Sequence, residues 1–369
     1  MLSRVHGYSV SIVQLALPHY NVPFYSLLAK NINGRLQIIT GPYFWGGSPL
    51  SVKNTHGLDR INVHNTFIAN QLAVQFPLPE VVFSSTIAVL EFNPRILSNL
   101  WIMICRKRLG RATVLWGHGL SRRLNSPSWA KTIKKWMAAE SDALIFYSDK
   151  GKQDFGSLGI PSEKLFVAYN SVDVQGIGQM DTPAFSQRSH ILFIGRLVIG
   201  KKIELLLQGF ASALPWLPAE TKLYIIGDGS HRSNLVAYAK ELGCLHRINF
   251  VGEITDERLL SQYFSQSLLS VYPSAIGLAA IHSLAYGVPI LVARNEPHNP
   301  EVEVLVEGRN CEYFSTEDAG DLAKKIIDLL NQPHKLSSLG QAGREDVTVK
   351  YSLQQMATVF VKVFDTVGR

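Results

Sequence analysis

Residues Val271 to Val292 read VYPSAIGLAAIHSLAYGVPILV. An apolar run ending at Tyr272 predicts a buried strand, and Pro273-Ser274 breaks it into a short loop. From Gly277 the small-residue segment GLAAIHSLAY spaces Leu278, Ile281, Leu284 and Ala285 as the apolar face of a helix. Gly287 suits the helix C-cap, Pro289 cannot continue the helix, and Ile290-Leu291-Val292 starts another strand. This order of strand, loop, helix and strand gathers backbone N–H groups and the positive end of a helix dipole at the loop. Together they can hold an anion such as a diphosphate. Ala279 and Ala280, in the first turn, leave room for a bulky ligand.

The 369 residues suffice for two domains of ordinary size, and 46% of them are hydrophobic, so each domain can bury a core. The three cysteines, Cys105, Cys244 and Cys311, are odd in number, far apart and without metal-ligand spacing, which suggests a reducing, cytoplasmic compartment. No apolar run reaches the roughly 18 residues of a membrane-spanning helix. VSIVQLALP, from Val10 to Pro18, reads as a first buried strand rather than a signal segment: it is short, contains Ser and Gln, and lacks a convincing cleavage site.

The net charge of +7 is unevenly placed. Residues 1–187 carry 18 Lys and Arg against 10 Asp and Glu, whereas residues 188–369 carry 18 against 19. The excess concentrates in 106–135, where Arg106, Lys107, Arg108, Arg111, Arg122, Arg123, Lys131, Lys134 and Lys135 occur without an acidic residue. Such a cluster attracts phosphate. An anionic membrane surface at the inner face of a membrane, or a lipid diphosphate, is the expected partner, with a solvated helix face as the plain alternative. No nucleic-acid-binding motif accompanies the cluster, so nucleic acid is not expected.

Along the chain, Val10 to Leu17 is the first strand, and PHYNVPF (18–24) is the loop at its carboxyl end, where open α/β sheets bind ligands. A helix from Phe24 and a strand from Leu36 to Thr40 follow, and residues 41–79 have only weak periodicity. Val81–Ser84 and Val89–Phe92 read as strand. A helix then starts at Asn93-Pro94, with Ile96, Leu97, Leu100, Ile104 and Leu109 on an apolar face that Trp101 and Met103 widen. That face packs on the sheet or lies on a membrane. The strand Ala112–Trp116 delivers Trp116-Gly117-His118-Gly119, and a histidine between two glycines after a strand is exposed rather than packed. Ser148-Asp149 caps a helix, and residues 174–188 lack apolar period and read as a linker. The second half opens with the strand Ser189–Ile194, then Gly195-Arg196-Leu197, Lys201-Lys202 and the helix IELLLQGFASAL. The strand Lys222–Ile226 ends in Gly227-Asp228-Gly229-Ser230, Ile248–Gly252 is a strand, and Asp256-Glu257 begin a short helix. Glu301 and Glu303 read as partners for hydroxyls or, more simply, as exposed charges. Asp318–Leu330 and Tyr351–Val367 are helices.

These motifs together resemble the family-4 retaining glycosyltransferases. That family reads P-S-x-x-E-G-F-G-L-x-x-x-E-A-x-A-x-G-x-P. This chain has Pro273-Ser274, Gly277-Leu278 and Gly287-x-Pro289 with the segment before Gly277 shortened, so His282 takes the second glutamate's place and Ser274 lies where the first would fall. A subset of family-4 polysaccharide glycosyltransferases carries the same GL-x-x-[IM]-H-S-L-x-YG-x-P form. Gly195-Arg196-Leu197 with Lys201 resembles G-R-L-x-x-x-K-G, with Lys202 replacing the last glycine. GDGS resembles the family's GDGP turn, and Asn170-Ser171-Val172-Asp173 its NGVD element.

The resemblance implies an α/β GT-B fold of two Rossmann-like domains facing each other across a cleft. Residues 1–180 would bind the acceptor, residues 181–350 the donor, and a C-terminal helix in 351–369 would cross back to pack on the first domain. It implies a nucleotide-diphosphate sugar as donor substrate, no further cofactor and, since no Asp-x-Asp is present, no metal. Transfer would proceed with retention, by front-face departure and return, to a glycan or lipid-linked acceptor as in bacterial surface polysaccharide assembly. The catalytic candidates are His118, which would face and position the transferred sugar rather than act as general base, and Arg196 and Lys201, which would clamp the diphosphate and stabilise its growing charge. Gly195, Gly252, Ser274, Gly277, Leu278, Ala279 and His282 complete the donor side. His19 and Asn21, in a loop that replaces the family's usual glycine-rich one, fall on the acceptor side. Two rivals remain: an isomerase like the nucleotide-sugar 2-epimerases, which share the fold, and a non-catalytic nucleotide-sugar-binding module, motivated by the missing glutamates.

Overall fold

The computed structural model describes residues 7–45, 50–55, 57–120, 128–173 and 185–368. The chain divides into two compact units, residues 1–173 with 353–369, and residues 174–352. Sequence reading places these boundaries at 180 and 350. Residues 174–184 of the expected linker, and Arg122 and Arg123 of the basic cluster, lie outside the described residues.

The first unit runs β1 (Tyr8–Gln14), α1 (Val22–Asn31), β2 (Gly34–Thr40), β3 (Arg60–Asn62), β4 (His64–Ile68), β5 (Leu72–Phe76), α2 (Val81–Ser84), β6 (Ile87–Glu91), α3 (Leu97–Arg108), β7 (Ala112–Gly117), α4 (Ser128–Glu140), β8 (Ala143–Phe146), α5 (Asp149–Gly156) and β9 (Leu165–Val167). Seven strands form a parallel sheet in the order β3-β2-β1-β6-β7-β8-β9, and β4 and β5 form an antiparallel ribbon. The central strands are near-continuous apolar runs because both faces of the sheet are covered. Alternate residues go to opposite cores. Val10, Ile12, Val89, Val114 and Trp116 pack on one face with α1, and Val13, Ala88, Leu90 and Leu115 on the other.

The second unit runs β10 (His190–Ile194), α6 (Ile203–Ala213), β11 (Leu223–Ile226), α7 (Arg232–Glu241), β12 (Ile248–Gly252), α8 (Glu257–Ser265), β13 (Ser267–Tyr272), α9 (Ala279–Ala285), β14 (Ile290–Ala293), β15 (Cys311–Phe314), α10 (Ala319–Leu330) and α11 (Pro333–Lys350). Its parallel sheet has the order β12-β11-β10-β13-β14-β15. A last helix, α12 (Leu353–Val367), packs against α1 and buries Met356, Phe360 and Phe364 in the first unit's core.

Three local outcomes differ from the sequence reading. Residues 81–84 form a helical turn, not a strand. The N–H groups of Val82 and Ser85 donate to the carbonyls of Pro79 and Val81, and a short apolar run cannot by itself distinguish the two states. Helix α11 was hidden by its glycines, yet they are what lets it lie against α9: a Cβ on Gly340 would stand 2.2 Å from the Gly287 carbonyl oxygen. The basic cluster is not uniformly exposed. Arg106 is fully buried and donates to the carbonyls of Val82, Ser85, Thr86 and Ala112, and Lys134 turns inward to the loop after β7.

Candidate functional site

In the six-stranded sheet the strand order reverses between β10 and β13. Chains leaving these two strands go to opposite faces, and the crevice left at their carboxyl ends is where open α/β sheets bind ligands. The residues singled out above occupy both rims. After β10, Gly195, exposed Arg196 and half-buried Lys201 enter a tight turn before α6. After β13, the segment 273–278 leads into α9. Lys201 Nζ donates to the Ala275 carbonyl at 2.6 Å, so the two rims are tied directly. Burial, and secondarily the nearby Arg196 guanidinium, lower the Lys201 ammonium below its ordinary value. A cation held this way is stabilised by an arriving anion.

Lys202 explains its own departure from the family pattern. Its backbone is left-handed, at φ 49° and ψ 38°, the conformation in which glycine carries no penalty. A lysine is strained there by about 1 kcal/mol, which its side chain offsets by pairing with Glu296 at 2.8 Å and Glu317 at 2.9 Å. The GDGS turn completes the rim. Leu197 N–H donates to the Asp228 carbonyl and His231 N–H to the Leu197 carbonyl. Gly227, at φ 133°, lies where a Cβ would stand 1.9 Å from the Gly195 carbonyl oxygen. Gly252, at φ 92°, accepts at its carbonyl from Gly227 N–H at 2.8 Å.

Helix α9 begins at Ala279, two residues later than the sequence reading. Gly277, Leu278 and Ala279 are half-exposed, whereas Ala280 packs into the core and leaves no room for a ligand. Ser274 is only 2% exposed, so its hydroxyl is withdrawn from the surface. His298 braces the loop: the Ile276 N–H donates to its Nδ1, which leaves Nε2 to donate to the Ala293 carbonyl, and this pattern requires the neutral ring. His282 is not a lone imidazole. Its Nε2 lies 2.9 and 3.1 Å from the two carboxylate oxygens of Glu257, and the Tyr286 hydroxyl donates to the same carboxylate at 2.5 Å. Phe264 and Tyr286 stack on each other, and Phe264 also packs on the His282 ring. Burial would raise the Glu257 carboxyl, but His282 and the Tyr286 hydroxyl outweigh it and bring it below the usual carboxylate range. A half-exposed carboxylate thus stands beside α9, supplied by α8 rather than by α9 itself. Glu301, read as an exposed charge, is instead buried, and Glu303 is half-buried.

The first unit repeats the arrangement with its order reversing between β1 and β6. His19 is exposed on the turn after β1, its ring edge-on to Tyr20, and Asn21 sits at the N-cap of α1 without bonding the helix. Glu91 ends β6 and accepts from the Leu15 N–H at 2.7 Å, bridging the reversal point; burial pushes its carboxyl up to about 7. His118 is exposed after β7, 5.0 Å ring to ring from Tyr147. Lys134 fixes its loop by donating to the carbonyls of His118 and Gly119 at 2.8 and 2.6 Å, and burial lowers that ammonium to about 8. The loops bearing His19 and His118 therefore leave the same end of the sheet, on either side of Glu91.

Residues 180–346 match the family described as glycosyl transferases group 1. They form a group 1 glycosyl transferase domain. The chain is 25% identical over 243 residues to a glycogen synthase of Mycobacterium tuberculosis, covering 63% of this chain and 56% of the relative. It is 25% identical over 185 residues to the lipopolysaccharide core biosynthesis glycosyltransferase LpsE of Rhizobium meliloti, covering 50% and 52%. The chain thus spans little more than half the length of these curated relatives. The crystal structure of Anabaena Alr3699/HepE in complex with UDP superposes with a TM-score of 0.73 at 14% identity, over 97% of this chain and 100% of that one. The fold is GT-B.

Within the glycosyl transferase domain, sequence reasoning missed Glu257 and His298. Glu257 was legible only as the first residue of a short helix. His298 has no motif around it, and its role appears once β14 and the loop before α9 are adjacent. Among the described residues no three His, Cys, Asp or Glu side chains cluster as metal ligands would.

Proposed function

We propose that the protein is a retaining glycosyltransferase that moves a sugar from a nucleotide-diphosphate sugar to a glycan or lipid-linked acceptor, on the cytoplasmic side, in bacterial surface polysaccharide assembly. The observation that carries the proposal is the pair of cations at the reversal point of the second sheet. Lys201 and Arg196 stand across from the loop before α9, where a diphosphate gains two charge-assisted contacts together with backbone N–H donors. The similarity to the lipopolysaccharide glycosyltransferase LpsE supports the polysaccharide setting.

In the reaction the bond from the anomeric carbon to the diphosphate oxygen breaks with its electron pair going to the diphosphate. The acceptor oxygen bonds the same carbon from the same face, and its proton passes to the departing phosphate. Arg196 and Lys201 stabilise the charge that grows on the leaving group. Glu257, held by His282 and Tyr286, supplies a carboxylate for donor hydroxyls in place of the absent glutamates. His118 and His19, at the carboxyl end of the first sheet, position the sugar and the acceptor.

The test is incubation of the protein with radiolabelled uridine and guanosine diphosphate sugars and a lipid-linked glycan fraction, with the anomeric configuration of the product read by NMR. The expected result is nucleotide release coupled to acceptor labelling with retained configuration. An inverted linkage would overturn the retaining assignment. Interconversion of the nucleotide sugar without an acceptor would make the protein an isomerase, and binding without turnover a non-catalytic module.

A further inference from the structure

The first unit carries two apolar grooves, each bordered by α3. Trp101, 57% exposed, and Ile104 lie one turn apart on α3; Trp136 on α4 meets the Ile104 side, and Phe76, 70% exposed at the end of β5, meets the Trp101 side. Two grooves join them. One, of about 450 Å³, runs from Phe76 and Pro77 to Leu97 and Trp101. The other, of about 280 Å³, runs between Ile104 and Trp136 and is edged by Lys107 and Arg108. Trp129, one and a further turn along α4, and Leu109 extend the exposed apolar surface. Single exposed apolar residues need no explanation, but a row of three tryptophans with a phenylalanine does.

Charge says what covers it. Arg108, which edges the second groove, and Arg111, just beyond the end of α3, are exposed and make no ion pair among the described residues. From residue 97 to 140 the sequence has a single acidic residue, Glu140, and Lys107 already pairs with it. Indole rings prefer the boundary between hydrocarbon and headgroups, and lysine and arginine beside them attract anionic headgroups. We propose that the α3–α4 face, with the end of β5, is a docking surface for an anionic lipid bilayer, with Trp101 and Trp136 entering the headgroup layer. This goes beyond the sugar-transfer reading and does not depend on it, since none of these residues belongs to either sheet-end site.

The test is sedimentation with vesicles of phosphatidylethanolamine and phosphatidylglycerol at about 3:1, alongside pure phosphatidylcholine vesicles, at about 50 mM and about 500 mM salt. The full-length protein should pellet with the anionic vesicles at low salt, be released at high salt, and ignore phosphatidylcholine, with its tryptophan emission moving to shorter wavelength on binding. W101S/W136S and, separately, R108E/R111E should each weaken vesicle binding by at least about tenfold, with unchanged circular dichroism and unchanged nucleotide binding. No binding of the wild type to anionic vesicles would overturn the proposal, as would equal binding by the variants. So would a wild-type dimer in light scattering that W101S/W136S dissociates without vesicle binding, because the face would then join two copies.

Discussion

Lys201→Ala separates two roles that the structure gives one side chain. In the free protein Lys201 Nζ ties the loop after β10 to the Ala275 carbonyl. A hydrogen bond from a charged donor contributes about 1.5–3 kcal/mol, discounted to about 1–2 kcal/mol here because the ammonium is only half-buried. For a unit of this size that lowers the melting temperature by roughly 2–8 °C. A bound diphosphate would lose one charge-assisted contact, a further weakening of about 1.5–3 kcal/mol, or roughly 10- to 150-fold in Kd. Because burial lowers the free ammonium's pKa and an anion raises it, binding should take up protons, and affinity should fall as pH rises through the lowered value. Calorimetric titration of both proteins with uridine and guanosine diphosphates, beside thermal unfolding of the unliganded forms, reads both roles. A lower melting temperature with an unchanged Kd would refute the anion-site argument and leave Lys201 as a brace between loops.

Glu257→Gln keeps the shape of its site but removes the negative charge opposite His282; donor-sugar affinity should fall by about 3- to 10-fold, if the carboxylate takes a donor hydroxyl. The same carboxyl is held below its usual range, so its stabilisation is present above the unfolded pKa near about 4.3 and is lost as pH falls through the lower folded value; denaturant curves of wild type and variant should converge under acid. Glu91 has the opposite sign. Its folded value of about 7 lies above the unfolded one, so wild-type stability declines between about pH 4.3 and 7 and stays reduced above. Glu91→Gln should be more stable than wild type by about 3 kcal/mol at pH 8 and equal to it near pH 4, and equal urea midpoints at pH 8 would contradict the burial argument.

The fold was legible because its evidence is periodic and punctuated. Pro273, Gly287 and Pro289 bracket a helix between two apolar strands, and the Gly195 and Gly227 turns each follow a strand of the same kind. The polar side of the site was legible only where residues lie close in sequence to those turns, as Arg196 and Lys201 do. Glu257 lies 25 positions from His282, and nothing at either position announces the other until α8 and α9 are packed together. Lys202 departs from a glycine pattern, and only its left-handed φ shows that the backbone requirement behind the pattern persists with a different residue meeting it. Arg106 and Lys134 show the limit of counting charge: two members of a basic run were drawn inward by carbonyl groups at strand and loop ends that composition does not reveal.

The placement of α12 sets an order of events during synthesis. The aromatic face formed by Tyr8, Phe24 and Trp116 is closed by Phe360 and Phe364, which the ribosome reaches only after the whole of residues 174–352. At about 5–20 residues per second that delay is roughly 10–35 s. The first unit therefore waits with an open flank for as long as the second is being made, and because α12 follows directly on residue 352 the two units are completed almost together. During that interval the nascent first unit is the natural client of a chaperone that grips exposed aromatic surface.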